Sequence, residues 1–250
     1  MKKLHAALCM VALLMVSLNM VSCLDAVEQE YRVTVPTFAT VTHSEDGKVR
    51  LYLDENRGIL NVSEKSADIN WGNAVRTWVY YDLPIVGVGS EEINMESVIF
   101  NGIVRSATKI DTVSLVDVTG MEELPSTLGN DTLHGFKIQA YRGYLTLQTW
   151  VTNNQNFYMT CSYDREKFDG ENLYMNLHYK KMEGTWHTDI LQTVCAPLPA
   201  FLLEPNVVKA DSLNIIVSAP VWSEVKKDSA YVDNARTKIS SNRLNQPTYY

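Results

Sequence analysis

The chain has 250 residues, 46% of them hydrophobic, with 22 basic and 29 acidic side chains and a formal net charge of −7. That balance argues against a nucleic-acid partner, because affinity for phosphates rests largely on Lys and Arg contacts that displace counterions. The apolar content argues against global disorder and supplies enough chain for one large core or two small ones.

Lys2 and Lys3 open the sequence and an apolar run over residues 4–18 follows them, the layout of a signal peptide spanning 1–22. The run is shorter than the ~20 residues a membrane-crossing helix needs, and nothing basic follows it to stop transfer. It ends in Met20-Val21-Ser22-Cys23, which resembles the bacterial lipobox, with Met20 in place of the usual Leu. Cys23 is therefore expected to become the lipid-bearing first residue after export, anchored at the outer membrane or cell surface. Residues 23–30, with Asp25, Glu28 and Glu30, then read as an acidic tether. Without Lys2 and Lys3 the mature chain keeps 20 basic against 29 acidic side chains.

Beyond the tether the dominant signal is short strands punctuated by turns, with little helical periodicity, so the chain reads as mostly β. Residues 32–42 alternate valine with polar side chains, Asp46-Gly47 supplies a turn, and residues 49–53 return as a hairpin. Asn56-Arg57-Gly58 breaks that strand. Residues 75–83 (VRTWVYYDL) form an aromatic strand, and 96–109 read as one long strand or two joined across Asn101-Gly102. Four or five strands over 31–113 suit a small closed barrel.

Glycines, Pro125 and the paired acids Glu122 and Glu123 interrupt the pattern over 115–134, which places a linker at 114–135. Strands follow at 136–139, 144–151, 157–163, 173–180 and 213–217, with turns at Arg142-Gly143, Asn153-Asn154 and Asp169-Gly170. This spacing predicts an antiparallel β-sandwich over 136–220. The polar tail, 221–250, has a short helix expected near 230–239 and weak order at its end. Cys161 and Cys195 remain after the signal and lipid site are set aside; oxidising surroundings allow them to bridge, and two buried apolar thiols are the alternative.

The lipoprotein start, the hairpin strand Val49-Arg50-Leu51-Tyr52-Leu53-Asp54-Glu55, the strand 75–83 and the later Tyr144-Leu145-Thr146-Leu147 occur in one order. In this the whole chain resembles the NigD-like lipoproteins of Bacteroides and its relatives. Trp71-Gly72-Asn73 departs from the glycine-aspartate lead-in the family pattern has before the aromatic strand. The resemblance implies an N-terminal OB-like β-barrel followed by a C-terminal β-sandwich. It implies no catalytic residues, and its link to bacteriocin production or immunity comes only through the family name.

OB-type barrels hold oligosaccharides or oligonucleotides on one strand face. Tyr52, Trp71, Trp78, Tyr80 and Tyr81 are the available aromatics, and alternation puts Arg76, Trp78 and Tyr80 on one face of their strand and Thr77, Val79 and Tyr81 on the other. Trp71, Arg76, Trp78 and Tyr80 are the candidate ligand contacts, with core filling the ordinary alternative for aromatics. Residues 31–113 hold 8 basic and 11 acidic side chains, which disfavours single-stranded nucleic acid.

Catalytic and metal signatures are missing: there is no Gly-x-Ser-x-Gly elbow, no His-Glu-x-x-His and no phosphate loop. Gly87-Val88-Gly89-Ser90 lacks the spacing of a phosphate cradle, Phe168 interrupts the acidic run 164–171 where a calcium ligand would stand, and His178 and His187 are isolated. Glu91-Glu92 and Glu122-Glu123 read as solvated loop acids rather than a glycosidase pair. No cofactor is expected. The function expected is a non-catalytic interaction module on the envelope, its partner an envelope protein, with a surface glycan as the alternative.

Overall fold

The structure, a computed structural model, describes residues 32–55, 57–84, 98–152, 157–182, 189–222 and 230–247. Cys23 with its signal and tether, Gly87-Val88-Gly89-Ser90, Glu91-Glu92, Asn153-Asn154 and His187 lie outside the described residues.

Short alternating runs become strands, as the sequence predicts. The first half contributes β1 (Arg32–His43), β2 (Val49–Leu53), β3 (Ile59–Val62), β4 (Arg76–Pro84), β5 (Ile99–Gly102), β6 (Val104–Thr112) and β7 (Ser114–Asp117). The second half contributes β8 (Gly135–Tyr141), β9 (Tyr144–Thr152), β10 (Phe157–Tyr163), β11 (Asn172–Lys181), β12 (Asp189–Pro197), β13 (Ser212–Trp222) and β14 (Ala230–Ser240). The turn at Arg142-Gly143 has positive φ at both residues, 44° and 76°, which matches the right-handed twist of the tight β8–β9 hairpin.

The strands form two sheets, one of nine in the order β5-β3-β2-β1-β4-β6-β12-β9-β8 and one of five in the order β14-β13-β11-β10-β7. This corrects the expectation of a closed barrel beside a separate antiparallel sandwich. The run expected at 96–109 as one long strand, or as two joined across Asn101-Gly102, holds two strands that part at Ile103: β5 pairs with β3 in parallel and β6 pairs with β4 antiparallel. Beyond β4, β6 meets β12 in parallel at Asp111 and Thr112. The first-half strands therefore run on into those of the second half. Parallel pairing recurs between β7 and β10 and between β11 and β13, so both sheets are mixed.

Three elements depart from the sequence reading. Residues 230–239 form a strand rather than a helix, because all of β14 pairs with β13 from Ala230 to Ser240. β7 lies within the expected linker, and β12 was not anticipated. β7 and β12 are held by partners distant in sequence, which local propensity does not register, whereas β14 is a polar segment made a strand by the preceding β13.

Paired residues share a face, and faces alternate along a strand. One face of the nine-stranded sheet thus carries Ala39, Val41, Val79 and Tyr81 toward its first end and Leu145, Leu147, Val194 and Ala196 toward its second. The first group builds a core with Leu51, Leu53 and Leu60. The second packs against Met175, Leu177, Leu213 and Val217 of the five-stranded sheet in a larger core. The opposite face carries Arg76, Trp78, Ile110, Cys195 and Thr146. Arg76 Nη2 donates to Thr146 Oγ1 at 2.8 Å, although β6 and β12 lie between β4 and β9 in the sheet. In a flat sheet these strands would stand about 14 Å apart, so the sheet folds over and this second face is concave.

Leu177 sits in the larger core with 1% exposure, whereas Leu191 on the concave side is 49% exposed. Leu177→Ala is expected to cost about 2–5 kcal/mol, and Leu191→Ala to stay within about 0.5 kcal/mol. Urea unfolding monitored by circular dichroism compares the two.

Candidate functional site

The concave face has a buried end and an open end. At the buried end, the Arg76 guanidinium is fully shielded from solvent. Its Nη1 donates to Asp54 Oδ1 at 2.7 Å and to Thr40 Oγ1 at 2.9 Å, and its Nη2 donates to Asp54 Oδ2 at 2.6 Å and to Thr146 Oγ1. Gln139 Nε2 adds a donor to Asp54 Oδ2 at 3.2 Å. Five segments meet here: β1, the end of β2, β4, β8 and β9. Burial pushes the Asp54 carboxyl above its ordinary range, and Arg76 opposes that. The Arg76 Nε has no hydrogen-bond partner among the described residues.

A cation–π clasp lies between the same two halves of the chain. Arg142, from the β8–β9 turn, stacks over Tyr52 of β2 at 4.9 Å and over Tyr141 at 5.6 Å, and Arg243 covers Tyr141 at 5.5 Å. Tyr52 is buried beneath it, and Tyr81 lies in the first-half core.

At the open end, Trp78 stands across from Phe38 with ring centroids 4.5 Å apart, edge to face, and Tyr80 meets Trp78 edge-on at 6.3 Å. Phe38, Ile110 and Cys195 form a small buried cluster under Trp78 and Val75. Beside it opens a cleft of about 450 Å³ lined by Phe38, Trp78, Thr108, Gln148, Leu191 and Gln192, with Lys109 and Asp111 at its margin. Leu191 pairs with Trp150 across the β9–β12 ladder. Lys137 sits over the Trp150 ring at 5.7 Å. Tyr80, Trp150 and Leu191 are all exposed, so apolar and aromatic side chains continue across this side of the sheet.

The four sequence candidates thus separate. Trp78 and Tyr80 stand together on the open face, Trp71 packs against the first-half core, and Arg76 is enclosed by its ion pair. Phe38, Trp150 and Leu191 were not among the candidates. Alternation alone would have put Gln148 and Trp150 on one face; that this face adjoins Trp78 depends on the parallel β6–β12 contact.

Cys161 and Cys195 are both buried and free, not bridged. Cys161 belongs to the core between the sheets, while Cys195 joins Phe38 and Ile110 on the other side of the nine-stranded sheet. Burial pushes the Cys161 thiol up to about 12 and raises Cys195 as well. Within the acidic run, Asp164 caps a single turn at Arg165–Lys167 and Asp169 accepts from the backbone N–H groups of Glu171 and Asn172, so both shape the loop. No group of three metal-ligating side chains occurs among the described residues. His178, on β11, is buried with its Nε2 2.7 Å from Ser162 Oγ. Burial lowers its pKa, against a hydrogen bond to the Gly129 backbone.

No protein-family model matches the sequence, and no curated protein does. Solved structures do share the fold. An uncharacterized protein from Parabacteroides merdae covers 83% of this chain and 99% of its own length, with a TM-score of 0.59 at 11% identity. A "putative lipoprotein" from Bacteroides fragilis covers 84% and 98%, with a TM-score of 0.58 at 11% identity. A NigD-like immunity protein from Bacteroides caccae covers 81% and 93%, with a TM-score of 0.52 at 16% identity. The resemblance drawn from the sequence is therefore a likeness of fold, extending over most of the described chain.

Removing one member of a buried ion pair leaves the other uncompensated, so Asp54→Asn or Arg76→Met alone is expected to cost about 3–5 kcal/mol. Replacing both with apolar residues of similar volume should recover much of that loss, and a double-mutant cycle in urea reads the coupling. For His178 the folded pKa lies below the unfolded value of 6.5. The unfolded state then binds more protons, and the stability present above 6.5 is lost as pH falls through the folded value. Urea midpoints measured down through this window should fall more steeply for the native chain than for His178→Gln.

Proposed function

We propose that this is a lipid-anchored envelope protein that acts by binding rather than by catalysis, with the concave Trp78 side of the nine-stranded sheet as its binding surface. The observation that carries the reading is the grouping of exposed Tyr80, Trp150 and Leu191 around half-buried Trp78 and its cleft. Contiguous apolar surface of this kind, rimmed by polar groups, marks interaction sites. The start of the sequence supports the anchor at Cys23 and a position at the outer membrane or cell surface. The fold shared with a protein named as a lipoprotein is consistent with it. In this reading the first half of the chain is an OB-type module whose last strand runs on into the sandwich, supported by the β1-β2-β3 meander, the parallel β3–β5 pair and the antiparallel β1–β4 pair.

An envelope protein is the first partner to seek, because the anchor confines the module to that surface. Immunity to a bacteriocin is one special case, suggested by the name of the Bacteroides caccae neighbour. A glycan is the second reading, favoured by the polar lining of the cleft.

Tagged protein captured from gently solubilised native envelopes tests the reading, with partners identified by mass spectrometry. A specific partner is expected, reduced for Cys23→Ala and lost for the folded double variant Trp150→Ala/Leu191→Ser. Equal recovery of the partner by native chain and double variant would overturn the assignment of the surface.

A further inference from the structure

We infer that the cleft beside Trp78 is a subsite for a short, uncharged oligosaccharide. The inference rests on the binding role proposed above and names the ligand class of that surface.

A pyranose ring has an apolar C–H face and a rim of hydroxyls, so its site needs a fixed aromatic surface and a planar group that donates and accepts side by side. Trp78 supplies the first. Phe38 on one side and Tyr80 on the other meet it edge-on, which limits the rotamers open to the indole. Gln148 supplies the second: it lines the cleft on the same face of the sheet as Trp78, and its side-chain amide is not hydrogen-bonded among the described residues. That amide carries two donors and a carbonyl acceptor, the pattern that matches neighbouring hydroxyls. Thr108 adds a hydroxyl and Leu191 an apolar wall. A volume of about 450 Å³ is ordinary for a small-molecule cleft.

Other occupants fit less well. An extended peptide recognised by strand addition needs a free sheet edge, whereas β4, β6, β9 and β12 each have neighbours on both sides. An acyl chain would leave the Gln148 amide and the Thr108 hydroxyl without partners. Lys109 and Asp111 adjoin the cleft but alternate to the opposite face of β6 from Thr108 and Ile110, so nothing there selects a phosphate or another strongly charged group.

The test is titration of the full mature protein with maltotetraose, cellotetraose, xylotetraose, mannotetraose and chitotriose. It is followed by tryptophan fluorescence and repeated by calorimetry. Saturable binding of at least one sugar is expected, weakened about tenfold or more in Gln148→Ala, a change that breaks no internal hydrogen bond among the described residues. Trp78→Phe should weaken it too while keeping an aromatic against Phe38. No saturable change with any of the five sugars overturns the inference, as does binding undiminished in the glutamine variant. If the sugars fail while envelope capture yields a partner dependent on Trp150 and Leu191, the surface binds protein and only the sugar assignment falls. If both fail, the binding role falls with it.

Discussion

The contact on which the arrangement depends is the enclosed pair of Arg76 and Asp54. A guanidinium and a carboxylate removed from water regain through mutual attraction about what desolvation costs them, so such a pair adds little net stability. What it fixes is geometry. The planar fork of Arg76 has one orientation that reaches both Asp54 oxygens, Thr40 and Thr146 at 2.6–2.9 Å. Those acceptors come from strands at opposite parts of the nine-stranded sheet. A different relative placement of the two halves would leave a buried charge without its partner, a far larger penalty than a misplaced leucine.

That constraint shapes the open end of the same face. Folding the sheet until Thr146 of β9 meets Arg76 of β4 also brings Gln148, two residues along β9, to the same cleft as Trp78, two residues along β4. The cleft is thus the continuation of the ion pair along two converging strands. The stack of Tyr52, Arg142, Tyr141 and Arg243 ties the same halves together independently, so their relative position does not rest on one contact. Rigidity of this sort suits a preformed site, which binds without the cost of ordering its own side chains.

Alternation and turn chemistry made much of the strand content legible in the sequence. Residues 32–42, 49–53, 75–83, 157–163 and 173–180 were readable because each carries its own period-two pattern between turn residues. What escaped was non-local. Asn101-Gly102 signals a break, but nothing around it says that β5 and β6 will take different partners, and nothing in β12 says that Cys195 will lie beside Thr112. The sheet therefore read as a barrel and a separate sandwich, because the one parallel contact that joins them leaves no local trace. The tail misread as helix has a different cause: β14 is mostly polar and becomes a strand through full-length pairing with β13, the strand just before it. Arg76 illustrates the limit for sites. Its alternation with Trp78 and Tyr80 was correct, yet the Asp54 that claims it lies 22 positions earlier.

The division of the aromatics shows what a binding face on this fold requires. Tyr52 is covered by Arg142, Tyr81 is in the core and Trp71 packs against that core. Trp78 and Tyr80 escape because the face they share turns away from both cores and toward the fold in the sheet. The backbone beneath them is already paired with neighbouring strands, so recognition there falls to side chains alone. Side-chain recognition favours ligands with repeated, closely spaced polar groups on an apolar frame over chains that need main-chain pairing. The concave side of this sheet is therefore selective by construction, through which side chains its folding brings together.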